Sequence, residues 1–218
     1  MHRVLLALVL LIAGCSGAAP EPVPGPVTVS RDQWRPLVGV PQVQMSPEDM
    51  AQARERYLAS YAQFLGLNPA PEVAVEQIDY PDQVVPLQQK CLAASGITAT
   101  VGPDGQLEPD AAATAPGTEG AGVLYTCRAR YFTDPRLDLA PTGAQLDLAW
   151  DYLARFLVPC LRSRQVTAPD PPAKQDWTAG GGTAWAYPEL TDRADRDQII
   201  ADCRPQPPPE WYLGDRQP

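Results

Sequence analysis

Five cysteines are the residues of this 218-residue chain whose type and spacing most suggest chemistry. The first, Cys15, follows a positive start at Met1-His2-Arg3, an apolar run from Val4 to Ile12 too short to span a bilayer comfortably, and the small pair Ala13-Gly14. That is the layout of an export signal ending at a cleavage site. The remaining four, Cys91, Cys127, Cys160 and Cys203, contain no CxxC pair, and the one histidine, His2, lies ahead of the cleavage site. Zinc therefore finds no ligand set, and no metal or cofactor is expected. An even number of cysteines in an oxidising compartment reads instead as two disulfides. Three pairings are possible. The favoured one joins Cys91 to Cys127 and Cys160 to Cys203, because CLAASGITA (91–99) and CLRSRQVTA (160–168) form a weak internal repeat, and each unit would then be closed by the next cysteine downstream. Cys91 meeting Cys160 across the repeat is the alternative.

Ile12-Ala13-Gly14-Cys15 is the lipobox of bacterial lipoprotein precursors, with Cys15 as the residue lipidated and left first after cleavage. Two or more acyl chains, each worth roughly 0.8 kcal/mol per buried methylene, would hold the protein on the outer face of the cytoplasmic membrane. Cleavage also removes Arg3, leaving 16 basic against 26 acidic residues and a mature net charge of −10. A nucleic-acid partner is excluded by repulsion from phosphate.

Without histidine or a free thiol, catalysis would fall to carboxylates, and a glycosidase-like pair could be drawn from Asp176, Glu189, Asp192 and Asp195. Solvated surface acids explain them equally well. No G-x-S-x-G, S-x-x-K or H-E-x-x-H is present, so no catalytic residue is assigned and the chain is not expected to be an enzyme. Trp177, Trp185, Tyr187, Trp211 and Tyr212 crowd a glycine- and proline-rich third of the chain. Exposed, they could stack on a cell-envelope glycan or a protein partner; buried, they anchor loops.

These groups need elements to position them. Residues 15–43 read as the lipidated cysteine and a proline-rich tether of roughly 3 Å per residue, with Trp34 to Val43 able to lie against the domain. Residues 44–218 read as a single α+β domain of helices and short strands, and the 26 prolines and 16 glycines imply few helices. Ser46-Pro47-Glu48-Asp49 starts one whose face is Met50, Ala53, Tyr57, Leu58, Tyr61, Phe64 and Leu65, stopped by Gly66. Val73, Val75 and Ile78 alternate as a strand, and Pro81-Asp82 opens a helix closed by Gly96. A hairpin turns at Gly102-Pro103-Asp104-Gly105. Pro109 to Gly122 reads as a mobile loop, and Gly122 to Tyr131 as a short helix carrying Cys127.

The organising stretch is Ala140 to Ala168. Thr142 caps a helix whose stripe runs through Leu148, Tyr152, Leu153, Phe156, Leu157 and Leu161, with Pro159 bending its last turn and Val166 to Ala168 leaving as a strand. Asp192 to Cys203 is the last helix, and the tail from Arg204 is extended by its prolines.

Taken together, the lipobox, KCLAASGI, TCRARYFTDP, WDYLARFLVPCL, the W-A-Y-P at Trp185 to Pro188 and Cys203-Arg204-Pro205 resemble small secreted lipoproteins of high-GC Gram-positive actinobacteria, usually left uncharacterised. Arg164-Gln165 departs from that pattern, where a glycine is usual after PCL, and Trp177 stands in place of another aromatic. The resemblance implies a surface-anchored, disulfide-bonded α+β domain and brings no activity. The reading is a lipid-anchored cell-envelope module with a binding or structural role. A carboxylate-based hydrolase and a small solute-binding lipoprotein are the alternatives.

Overall fold

The computed structural model describes residues 30–218; Cys15 and the lipobox lie outside the described residues. The fold is α+β, 47% helix against 6% strand, so helices rather than sheets build the interior. The abundance of proline did not keep helices few, because several prolines open them: Pro47 starts α1 (Pro47–Phe64), Pro81 starts α2 (Pro81–Ala94), and Pro209 starts the final α8 named below. At that position a missing amide costs nothing and the fixed φ already suits a helix.

The hydrophobic interior is divided in two. The first core gathers Leu58, Leu92, Leu124, Tyr125 and Phe132 between α1, α2 and α3 (Glu119–Arg130). Ser46 caps α1 through its hydroxyl on the Asp49 amide, as expected, but only Leu58 and Ala62 of the helix proper are buried. Phe64 is 72% exposed, while Tyr57 and Tyr61 stack on one another and receive Arg128, by a hydrogen bond and a cation–π contact respectively.

The strand expected through Val73, Val75 and Ile78 is shorter and later, β1 (Gln77–Asp79), and its partner is β4 (Tyr131–Thr133), running parallel beside it. Between them come α2, the antiparallel hairpin of β2 (Ala99–Val101) and β3 (Leu107–Pro109), and α3. The stretch 109–122 is not loose chain. Asp110 accepts from the amides of Ala112 and Ala113, the Gly117 amide bonds Leu65's carbonyl, and Thr118 caps α3 by accepting from the Ala121 amide.

The second core is built on the organising helix. Thr142 and Gln145 form a capping box at the start of α4 (Gly143–Tyr152), and Leu148, Tyr152, Leu153, Phe156, Leu157 and Leu161 are all buried. Pro159 cannot donate to Arg155. The helix absorbs this by a wider π turn at Leu153–Leu157, in which the Val158 amide reaches five residues back to Leu153, before α5 (Val158–Ser163) resumes. The expected strand at Val166 to Ala168 does not form; the segment is irregular chain with Val166 and Ala168 buried. Three short helices follow: α6 (Lys174–Ala179), α7 (Arg196–Asp202) and α8 (Pro209–Tyr212). The last replaces the extended tail that the prolines suggested, seating Trp211 and Leu213 in the interior.

The folded part also begins earlier than residue 44. Trp34 and Val40 are buried in the second core, where Trp34 meets Tyr152 edge-on at 5.0 Å. Asp151, itself buried, accepts from the Leu37 amide and pairs with Arg155, pinning the segment.

Each core has its own staple, Cys91–Cys127 in the first and Cys160–Cys203 in the second, both with Cα atoms 5.7 Å apart. The repeat is visible in the backbone as well. After Cys91, Gly96 takes φ +78° and the Ile97 amide returns to Leu92; after Cys160, Gln165 takes φ +58° and the Val166 amide returns to Leu161. Both are left-handed helix closures of the Schellman kind. Gln165 thus takes the left-handed place that Gly96 takes in the first unit, a non-glycine bearing the strain.

Two outcomes follow. Closing loops of 36 and 43 residues, the disulfides contribute about 4 kcal/mol each in a chain-entropy account. Reduction is expected to abolish the cooperative thermal transition, as followed by near-UV circular dichroism. Second, Gln165 is exposed, so Gln165→Gly removes the steric cost of a left-handed non-glycine and raises Tm by roughly 2 to 4 °C, about 1 kcal/mol. A lowered Tm would show that the closure carries no strain.

Candidate functional site

Where the two cores meet, the surface folds into a groove of about 660 Å³. One wall comes from the first half: Pro81, Val85 and Pro86 of α2, and the hairpin from Val101 to Gln106. The other comes from the second: Leu146 and Ala149 of α4, Trp177 of α6, and the proline run after Cys203. The size falls within the roughly 300–1,000 Å³ typical of small-molecule sites.

The second wall is set by side chains that hold backbone. The Trp177 indole donates to the Leu146 carbonyl at 3.0 Å, locking α6 against α4, and the turn after it uses Gly181 and Gly182 at φ +61° and +82°. Tyr152 donates its hydroxyl to the Arg204 carbonyl at 2.8 Å, and Tyr187 donates to the Cys203 carbonyl at 3.2 Å. Burial is the main cause of the upward shift of the Tyr152 hydroxyl, which remains a neutral donor. With Cys203 fully buried in its disulfide, these bonds fix where Arg204 leaves the core. Its guanidinium then lies over Gly105 in the hairpin turn, where a Cβ would come within 2.8 Å of Nη1.

The two halves are latched beside the groove. Arg136 donates to Asp134, to Asp215 and to the Val43 carbonyl; Asp215 also accepts from the Tyr80 hydroxyl at 2.5 Å and the Gln42 amide at 2.9 Å. Burial alone would raise the Asp215 carboxyl. The bonds from Arg136, Tyr80 and Gln42 overcome it and hold the group below its usual range.

Of the five aromatics, Trp177 and Tyr212 line the groove. Trp211 is buried, with Arg35 and Arg216 near its ring. Trp185 and Tyr187 meet edge-on, half-buried, and both spend their polar atoms on backbone carbonyls. They are not one exposed platform. Asp176, Glu189, Asp192 and Asp195 are all exposed and none lines the groove; Asp195 pairs with Arg193 at 2.9 Å. The acids that do line it are Asp82 and Asp104. Among the described residues no three His, Cys, Asp or Glu side chains gather around one metal position, and no helix is long and apolar enough to cross a membrane. The helix and hairpin of the first wall were legible in the sequence, but Arg31 and Arg204, single arginines far apart in the chain, gave no signal that they share a rim.

Comparison of the chain with protein-family models, curated proteins and solved structures gives no match.

The latch gives a pH-dependent outcome. A carboxyl whose folded pKa is depressed adds stability above its unfolded value of about 3.9, and that stability is lost as pH falls through the lower folded value. Asp215→Asn is expected to cost about 1 to 3 kcal/mol at pH 7 and to flatten the loss of Tm on acidification below about pH 4. An unchanged Tm–pH profile would show that the latch does not couple the halves.

Proposed function

We propose that the protein is a lipid-anchored module of the cell envelope, held at Cys15 on the outer face of the cytoplasmic membrane, that works by binding in the groove between its two cores rather than by catalysis. The observation that carries this reading is the groove itself: a largely apolar cleft of about 660 Å³ to which both halves contribute walls, with none of Asp176, Glu189, Asp192 and Asp195 along it. The groove favours the small solute-binding reading over the glycosidase-like one, since both halves supply its walls, while its two acids, Asp82 of α2 and Asp104 of the hairpin, stand on the same wall and glycoside hydrolysis needs carboxylates on opposite sides of a sugar.

Export is supported from two sides. Ile12-Ala13-Gly14-Cys15 supplies the signal, and four cysteines closed as two disulfides suit an oxidising compartment. The resemblance to small actinobacterial lipoproteins points the same way.

The test is fractionation of the expressed full chain. The wild type is expected to partition, processed, into the detergent phase, and Cys15→Ala to remain as precursor or to be released. Mature Cys15→Ala protein in the detergent phase, or four alkylatable thiols in the exported wild type, would overturn the reading.

A further inference from the structure

Two arginines sit on the rim where the groove opens into a smaller polar cleft of about 480 Å³, and both line both spaces. Arg31 arrives from the short turn Arg31–Gln33 and Arg204 from the exit of the second disulfide. Both lie close enough to the buried Tyr152 hydroxyl for their charge to act on it. Among the described residues neither guanidinium has a carboxylate within salt-bridge distance, although eight other arginines do. The Arg31 Nε is buried with no hydrogen-bond partner. Arg35, Arg54, Arg56 and Arg128 also lack a carboxylate partner among the described residues, but only Arg31 and Arg204 among the arginines line both spaces.

The acids nearby pair with neither arginine. Asp104 accepts from the Gln106 amide at 2.9 Å inside its own turn, and Asp82 accepts from the Gln83 side chain at 3.3 Å. In the polar cleft Asp202 is taken by Arg164 and Gln198, and the other carboxylates there are exposed: Asp32, and Asp82, which lines both spaces as the arginines do.

Below the rim the lining is mostly apolar, Val85, Leu146, Ala149, Trp177 and a series of prolines that carry no N–H, with Gln106 and Gln206 as its amide side chains. A peptide laid along such a surface would bury carbonyls with few donors to meet them, which costs free energy for each unpaired group. An acyl chain has none to satisfy.

We propose that the groove binds a long-chain fatty acid, with its carboxylate between Arg31 and Arg204 and its chain along the apolar wall. Guanidinium pairs suit this head, because planar forks meet a carboxylate with charge-assisted hydrogen bonds. The inference rests on the reading of the groove as a binding site, and it does not depend on the anchor.

The experiment uses the mature chain with Cys15→Ser, both disulfides oxidised. It is titrated with cis-parinaric acid, a fluorescent fatty acid, and competed with oleate or methyl oleate. The expected result is saturable binding of one probe per chain, displaced by oleate and only weakly by the ester. Arg31→Gln/Arg204→Gln is expected to weaken oleate by about tenfold or more and to leave the ester unchanged. Ala149→Trp, which fills the groove, is expected to weaken both. Equal competition by acid and ester, or a double variant that binds oleate like the wild type, overturns the head-group assignment and leaves the groove a binding site. No saturable binding of any acyl compound by a wild type with its normal Tm overturns the inference whole, while anchoring is decided separately by the Cys15 fractionation.

Discussion

The Arg136 guanidinium is the constraint on which the arrangement of the two halves depends. It lies beyond β4 in the turn Pro135–Asp138, yet its hydrogen bonds end on Asp134, on Val43 of the N-terminal segment and on Asp215 of the tail. Asp215 carries the connection onward to Tyr80, at the start of α2. At 16% exposure the arginine side chain is largely out of water, so its charge must be met in full by these partners. The Asp134 hydrogen bonds are the largest influence on it, and with Asp215 they outweigh burial and hold it more firmly protonated than a free arginine. Pro81 and Leu137, which stand next to Tyr80 and Arg136 in the chain, and Tyr212, three residues before Asp215, all line the groove. The groove therefore inherits its geometry from an ion cluster beside it.

That cluster works only because the tail is held close. Gly214 takes φ +71°, and a Cβ there would run into the Val40 carbonyl, so glycine permits both the turn and the approach. Gln217 then donates to the same carbonyl. Trp34 and Val40 at one end, and Trp211 of α8 at the other, complete the second core, and Leu213 beyond α8 is fully buried.

The legible parts of the sequence were those written in local chemistry. The Ser46 and Thr142 caps, the stripe from Leu148 to Leu161, the hairpin turn and the favoured disulfide pairing all depend on residues close together or on a repeat that spacing exposes. The misreadings share one cause. Val166 and Ala168 are apolar because the core needs them, not because a strand does, and β1 needs β4 more than fifty residues later. Tyr57 and Phe64 fit a helix face that α1 only partly buries. The groove was illegible for the same reason: its walls come from both halves, and proline, which lines much of it, signals only where a helix begins or a chain turns. Of the five aromatics, Trp177 and Tyr212 could not be told from the rest, because burial is settled by packing and not by residue type.

The two CL units give these facts a common frame. In each, a helix ends on a cysteine and a fully buried leucine, Leu92 or Leu161, closes through a left-handed residue, and sends a buried β-branched side chain, Ile97 or Val166, into its core. In each, the cysteine bonds the next one downstream. Small units of this kind bury little apolar area per residue and lean on a covalent staple. Set side by side, they leave a seam that neither core can fill, and in this chain the seam is lined by α2 with its hairpin on one side and by α4 with the Trp177 turn on the other. The cleft is thus a product of joining two stapled cores, and Arg204, fixed by the second staple yet resting on the first half's hairpin at Gly105, is where the joint and the rim become one feature.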